Sequence, residues 1–75
     1  MSGLDELKVG ARARVERIAG TDDVSVRLME MGVLPGIEVK VLGRAPLGDP
    51  LEIELRGYRL SVRSNEASRI EVTPL

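Results

Sequence analysis

The sequence predicts a mainly β fold, a small and strongly bent antiparallel barrel of five short strands with one inserted α-helix and short helical turns. Three observations lead to this prediction. The chain has 75 residues, enough for one small domain that we expect to span residues 1–75. Many of its apolar residues alternate with polar ones, as in strands with one buried face. Five such strands are too few for a wide sandwich, whereas a barrel buries their inner faces and leaves few open edges.

The first segment contains one helical turn and one strand. Residues 4–7 carry leucines three positions apart, which is typical of a single helical turn that ends before Gly10. Residues 11–15 then alternate small or apolar side chains with arginine. This period of two predicts a half-buried strand that runs to Ile18.

Residues 21–32 form the one predicted helix of useful length. Thr21 or Asp22 can cap its first turn, and acidic residues suit the positive end of a helix dipole. Gly32 is placed to adopt the left-handed conformation that ends many helices. Apolar residues at i, i+4 and i+7 predict a buried stripe, formed by Val24, Leu28 and Met31.

Two strands and two turns are predicted next. Residues 34–36, Leu-Pro-Gly, read as a tight turn. The strand after it presents Ile37, Val39 and Val41 to one side. A second turn, Ala-Pro-Leu-Gly-Asp-Pro at residues 45–50, leads into a strand with apolar residues at positions 51, 53 and 55.

The C-terminal part predicts a hairpin, a helical turn and a last strand. The pair Arg56-Gly57 is a short hairpin connection. The strand after it is expected to point Tyr58, Leu60 and Val62 inward. Residues 64–67 predict one helical turn with Ser64 as its cap, and the final strand covers residues 70–72.

Composition excludes several classes of function. The chain has 11 basic and 12 acidic residues, so its net charge of −1 gives no overall attraction to nucleic acid or anionic lipid. It has no cysteine and no histidine, which removes disulfides, thiolate metal sites and the commonest general base. No apolar run approaches the roughly 20 residues that cross a bilayer, and the N-terminus lacks a secretory signal. We therefore expect a cytoplasmic, non-enzymatic protein without a cofactor and without membrane insertion.

Two groups of charged residues are candidates for a site. Asp49, Glu52 and Glu54 are the carboxylates that could bind a hard cation, but turn chemistry and the outward face of a strand explain them. We expect no tight binding of ferrous iron by these oxygen ligands. Arginines at positions 12, 14 and 17 could form a basic stripe, but a single-strand binder also needs stacking aromatics. The chain has one aromatic residue, so we predict a solvated strand face and no nucleic-acid partner.

Four apolar residues remain outside the predicted core. Seen down the helix axis, Val26 and Met29 lie opposite the buried stripe. Leu34 and Leu47 lie on turns, where apolar residues are not needed. We predict that these four residues form a partner-binding surface, for which flexible methionine is well suited. The alternative is that the turn leucines fold back onto the barrel and cap its small core.

Three segments resemble a known family. They are RLMEMGVLPG at residues 27–36, APLGDPL at residues 45–51, and RGYRLSVRSNEA at residues 56–67. LPG alone is a weak signal, but its spacing to APLGDP and then to LSVR is specific. The sequence resembles the FeoA proteins of bacterial ferrous iron uptake from about Leu4 to Val72, nearly the whole chain.

The resemblance implies an SH3-like β-barrel with an inserted helix. It also implies a small cytosolic accessory protein that acts with FeoB, a membrane ferrous iron transporter with a GTP-binding domain. Transition-metal binding is a label of the family. The alternative is a stand-alone regulatory module related to the C-terminal domain of metal-dependent repressors. Polyproline binding is not expected despite the fold, because an aromatic-lined groove cannot be built without tryptophan or phenylalanine. The oligomeric state stays open.

Overall fold

The computed structural model describes residues 2–75, in which six strands form one antiparallel sheet. The sheet order is β1-β6-β2-β3-β4-β5. Two α-helices and one 3₁₀ turn connect the strands. The elements in chain order are β1 (Ser2–Gly3), the 3₁₀ turn (Leu4–Glu6), β2 (Arg12–Ile18), α1 (Asp23–Glu30), β3 (Glu38–Arg44), β4 (Leu51–Leu55), β5 (Tyr58–Val62), α2 (Ser64–Ala67) and β6 (Ile70–Pro74).

The predicted fold class is confirmed, with two differences in detail. The five expected strands correspond to β2 through β6, but the two-residue strand β1 is an addition. Two residues carry no periodicity, so β1 exists only because Ser2 pairs with Val72 of β6. Over the described residues 2–75 the ladder of paired strands also does not close, since β1 and β5 lie at its two ends. The sheet is therefore a curled, SH3-like arrangement with two open edges.

Two β-bulges curl the sheet around one core. The register of β2 against β6 shifts between Val15 and Arg17, and that of β3 against β4 shifts between Val41 and Gly43. A bulge bends its strand and increases the local twist. The curled sheet buries a continuous apolar cluster: Leu4, Ala13, Val15, Leu28, Val33, Val39, Val41, Leu51, Ile53, Leu55, Val62, Ala67, Ile70 and Val72.

Helix α1 begins and ends as the sequence indicates. Asp22 is the N-cap, and its side chain accepts a hydrogen bond from the Ser25 N–H at 3.3 Å. Gly32 has a φ of +100°. The Gly32 N–H donates to the Met29 carbonyl at 3.0 Å, and the Val33 N–H donates to the Leu28 carbonyl at 3.1 Å. These two bonds form a Schellman motif. Of the predicted stripe, Leu28 is fully buried, while the other two residues are partly buried against the core.

Tyr58 lies on the predicted face of β5 but is not buried there. Its side chain is 42% exposed, whereas Leu60 is partly buried and Val62 is buried. Tyr58 lies at the hairpin end of an edge strand, where the curled sheet no longer covers it. Its hydroxyl donates to the Met31 carbonyl, so the ring lies over the turn that follows α1.

Candidate partner-binding surface

The loop at residues 45–50 turns sharply and holds its tip away from the barrel. The Gly48 N–H donates to the Ala45 carbonyl at 2.7 Å, and the Ala45 N–H donates to the Pro50 carbonyl at 3.1 Å. Gly48 has a φ of +85°, which a residue with a side chain rarely adopts. Leu47 is consequently 97% exposed. It does not fold back onto the barrel, which was the alternative left open by the sequence.

The base of this loop is tied to the start of α2. The Asp49 carboxylate accepts a hydrogen bond from the Ser64 N–H at 2.9 Å, and the Ser64 hydroxyl donates to the Gly48 carbonyl at 3.0 Å. Arg63 lies 3.8 Å from the same carboxylate. The prediction that Ser64 caps α2 is therefore wrong, because Ser64 is the first helical residue and its hydroxyl bonds to the loop. The first turn of α2 is instead capped by Asp49 and by Glu66, which accepts from the Arg63 N–H at 3.1 Å.

The other three predicted surface residues are also exposed. Val26 is 47% exposed and Met29 is 40% exposed, and both lie on the outer side of α1. Leu34 is 37% exposed, in a turn closed by the Ile37 N–H donating to its carbonyl at 3.1 Å. Val26 and Met29 are three residues apart and so share one helix face. Leu47 projects separately from its own loop.

Two ion pairs hold α1 in place. Arg27 of α1 pairs with Glu66 of α2, and Arg69 pairs with the N-cap carboxylate of Asp22. The hydrogen bond from Arg69, followed by the one from the Ser25 N–H, lowers the pKa of Asp22 below its ordinary value. The same pairing raises the pKa of Arg69. These contacts fix the helix whose outer face carries Val26 and Met29.

The thermal stability of the protein should depend on Asp22 in a pH-dependent way. Because its pKa is lower in the folded state, Asp22 stabilises the fold above its unfolded pKa, and this contribution is lost as pH falls through the folded pKa. The variant Asp22→Asn keeps a good N-cap residue but loses the charge facing Arg69. We expect its Tm to lie below that of the parent near neutral pH. The gap between the two Tm values should begin to narrow as pH falls below about 3.9, where unfolded aspartate is protonated, and should close below the lower folded pKa of Asp22.

A pH series of melting curves measures this effect, with Asp23→Asn as the control. Asp23 is also in the first turn of α1 but makes no ion pair within residues 2–75. A difference between Asp22→Asn and the parent that does not narrow as pH falls through about 3.9 would contradict the assignment, because the unfolded state takes up a proton there before the folded state does.

The charged side chains on the strand faces either form ion pairs or do not gather into a cluster. Each arginine of the predicted basic stripe lies beside a carboxylate: Arg12 is 2.6 Å from Glu38, Arg14 is 3.0 Å from Glu16, and Arg17 is 3.3 Å from Glu71. Glu52 and Glu54 are exposed on the outer face of β4. Over residues 2–75, no three carboxylates converge on a point that could hold a metal ion. None of the helices described there is long and apolar enough to cross a membrane.

Comparison with known proteins now identifies the family. The sequence matches the FeoA domain profile over residues 3–74. The chain belongs to the FeoA family. A relative from Porphyromonas gingivalis, named as a fusion of Fe(2+) transport protein A and the Fe(2+) transporter FeoB, is 36% identical over 69 residues. That match covers 92% of this chain and only 8% of the much longer relative.

Solved structures of FeoA proteins have the same fold. The FeoA protein of Chlorobium tepidum is 47% identical with a TM-score of 0.90, and the match covers all of this chain and 70% of that one. Stenotrophomonas maltophilia FeoA, described as a procaryotic SH3 domain protein and complexed with zinc, is 32% identical with a TM-score of 0.83. That match covers 97% of this chain and 89% of the other. The SH3-like prediction is thereby confirmed.

The FeoA fold also occurs in a repressor. A manganese-dependent transcriptional repressor matches with a TM-score of 0.89 at 21% identity, over 97% of this chain and 36% of that one. At this identity the likeness concerns the fold alone.

Sequence reasoning missed some features of this FeoA surface. Tyr58, Val9 and Leu75 are also large and exposed, with Val9 at 57% and Leu75 at 64%. Tyr58 lies beside the hairpin and is the one aromatic residue of the chain, a signal that was present in the sequence. The bonds between Asp49 and Ser64 link residues 15 positions apart, and no local pattern indicates them.

Proposed function

We propose that this FeoA-family chain acts without catalysis, as a protein-interaction module that docks on the cytosolic part of a FeoB-type ferrous iron transporter and modulates ferrous uptake. The observation that carries this proposal is the Porphyromonas gingivalis relative, in which a FeoA-like segment and a FeoB transporter share one chain. Covalent linkage gives two modules a high effective concentration for each other. A separate FeoA-family chain needs a non-covalent surface for the same association.

Four exposed apolar side chains are the proposed contact residues. Leu47 is the proposed anchor, because its loop is short, bounded by prolines and tied down at its base by the bonds between Asp49 and Ser64. A side chain on a pre-organised loop loses little entropy when it enters a partner pocket. Val26, Met29 and Leu34 supply additional contact area, and methionine adapts to irregular partner surfaces.

The chemistry of the chain supports a binding role over an enzymatic one. A catalytic site needs a nucleophile, a base or a metal held in a pocket. The chain contains no histidine and no cysteine. Glu52 and Glu54, two of the three carboxylates considered as cation ligands, are exposed to solvent on β4. The proposed role therefore rests on surface contacts with the transporter.

The variant Leu47→Asp tests the proposal directly. We expect it to bind the purified cytosolic domain of the FeoB-type transporter from the same organism at least tenfold more weakly, a loss of about 1.4 kcal/mol. Its Tm should stay within a few degrees of the parent, because no core volume is lost. Calorimetric titration and thermal unfolding of the same preparation measure both quantities. Val9→Asp is the matched control, since Val9 is exposed but lies outside the proposed surface.

A double variant on α1, Val26→Asp with Met29→Lys, should behave like Leu47→Asp. Both variants should also fail to restore ferrous uptake in cells that lack the parent chain. If Leu47→Asp unfolds the domain, Leu47 has a structural role that its exposure does not indicate. If all variants fold and bind as the parent does, the transporter contacts another face of the molecule.

A further inference from the structure

Strand β5 has one open edge. Among residues 2–75 it ends the sheet order and pairs with β4 alone. Leu55 and Tyr58 face each other across the two-residue turn, whose residues Arg56 and Gly57 both have positive φ, 52° and 84°. In such a hairpin the residues flanking the turn form a hydrogen-bonded pair, and hydrogen-bonded and non-bonded pairs then alternate along the ladder.

This alternation determines which backbone groups point outward. Tyr58, Leu60 and Val62 exchange hydrogen bonds with β4. The N–H and C=O groups of Arg59 and Ser61 therefore point to the open side. Neither residue makes another backbone hydrogen bond within residues 2–75. The edge offers two donors and two acceptors, spaced as one further antiparallel strand requires.

An open groove lies at the Ser61 end of this edge. Its volume is 410 Å³, and its walls come from α1, the base of the 45–50 loop, β5 and α2. Small molecules usually bind in pockets that enclose them. An open groove next to a strand edge is better suited to an extended peptide, which main-chain hydrogen bonds hold in place. The lining residues are Arg27, Met31, Pro50, Ser61, Arg63 and Glu66.

The charges along the edge select an acidic occupant. The segment from Arg56 to Arg63 contains three arginines and no acidic residue. Within residues 2–75, Arg56 and Arg59 form no ion pair, and Arg63 is only loosely paired at 3.8 Å. Glu66, the acid of the groove, is neutralised by Arg27. A second copy of this strand would bring three more arginines to the same place, which disfavours self-pairing.

We infer that β5 is a docking edge for an acidic, extended peptide segment of a partner, which adds to the sheet as an antiparallel strand. All strand pairs of this sheet are antiparallel, which favours that direction. Acidic residues of the peptide lie opposite Arg59 and Ser61. The alternate residues are apolar and cover Tyr58 and Leu60, which the fold leaves partly uncovered. None of the four residues of the proposed transporter surface lies on β5, so the two proposals stand separately.

The test uses an acetylated and amidated octapeptide that alternates glutamate with valine. We titrate it into the isotope-labelled protein at low salt. It should slow hydrogen exchange of the Arg59 and Ser61 amides about tenfold or more. The amides of Tyr58 and Leu60 are already bonded to β4, so they serve as the internal reference. The same peptide with lysine in place of glutamate should bind about tenfold more weakly or worse.

N-methylation of the peptide tests the register. In the inferred pairing the glutamate N–H groups face β5, so methylating them should weaken binding about tenfold or more, whereas methylating the valine N–H groups should change it less than about threefold. The variant Arg59→Glu should lose binding, and Lys40→Glu should keep it. These two variants are matched, because Lys40 and Arg59 are the cross-strand neighbours of Glu54 on either side.

Three outcomes would overturn the inference: binding that ignores the sign of the peptide charge, binding that is insensitive to which N–H groups are methylated, and a stable dimer through β5 in the absence of peptide. Leu47→Asp should bind the octapeptide as the parent does. Failure of the octapeptide test therefore leaves the proposal of transporter docking through Leu47 intact. Failure of the Leu47→Asp test likewise leaves the β5 inference intact.

Discussion

Replacing Ile53 with alanine should lower the free energy of unfolding by about 2–5 kcal/mol. Ile53 lies in the middle of β4 and is fully buried. It pairs with Val41 of β3 on one side and with Leu60 of β5 on the other. Alanine at this position removes apolar contacts with the two neighbouring strands and leaves a cavity that a paired strand cannot close by shifting.

The size of this loss matters because the domain is small. At about 0.05–0.15 kcal/mol per residue, a chain of this length has about 4–11 kcal/mol of stability in total. The variant should therefore unfold at much lower urea concentration, or be partly unfolded in water. Circular dichroism suits the measurement, since the chain has no tryptophan and one tyrosine. Glu54→Ala is the control, because Glu54 is the exposed neighbour on the same strand, and it should change stability by less than about 0.5 kcal/mol.

An Ile53→Ala loss below about 0.5 kcal/mol would mean that the inward face of β4 is misassigned, since only surface positions behave in that way. A one-residue slip of a strand moves its whole apolar set to the other face. The comparison of Ile53→Ala with Glu54→Ala therefore tests the register of the central hairpin as well as one contact.

Replacing Gly32 with alanine should lower the free energy of unfolding by about 2–3 kcal/mol, from two separate causes. The φ of +100° at Gly32 is strained for any residue with a Cβ. The added Cβ would also overlap the hydroxyl of Tyr58. Tyr58 would then have to move, and its hydrogen bond to the Met31 carbonyl would be lost.

A double-mutant cycle separates the two causes. In a Tyr58→Phe background the overlap with the hydroxyl is absent, so Gly32→Ala should cost only the backbone strain, about 1–2 kcal/mol. Gly43→Ala is the control, because Gly43 has no positive φ and nothing within 4 Å of an added Cβ. Urea unfolding of the four proteins of the cycle gives the coupling energy. Equal costs of Gly32→Ala in both backgrounds would show that Tyr58 is not part of the constraint.

The sequence predicts the solvent exposure of some candidate surface residues but not of others. The exposure of Val26 and Met29 follows from helical geometry, since both lie opposite the stripe that contains Leu28. The exposure of Leu47 does not follow from any local pattern. A leucine on a short turn can cap a core or point to solvent, and the choice depends on how the loop is held. Here Asp49 and Ser64 hold it from outside the turn.

The sequence by itself determined the mainly β fold, the approximate positions of five strands, the ends of α1 and the inward faces of β3 and β4. These features depend on neighbours within one or two turns, because alternation, helical spacing and a left-handed glycine act over a few residues. The APLGDP segment and its spacing to the flanking motifs also sufficed for the family resemblance, which the domain match over residues 3–74 confirmed.

Only the tertiary structure decided the rest. Strand β1, the open edge of β5, the exposed ring of Tyr58 and the partner of Asp22 all depend on residues far apart in the chain. Arg69 lies 47 positions from Asp22, and Tyr58 lies 27 positions from Met31. Contacts over such distances form only when the curled sheet and its helices pack around the shared core, and that packing involves the whole apolar cluster. No short stretch of sequence specifies such contacts.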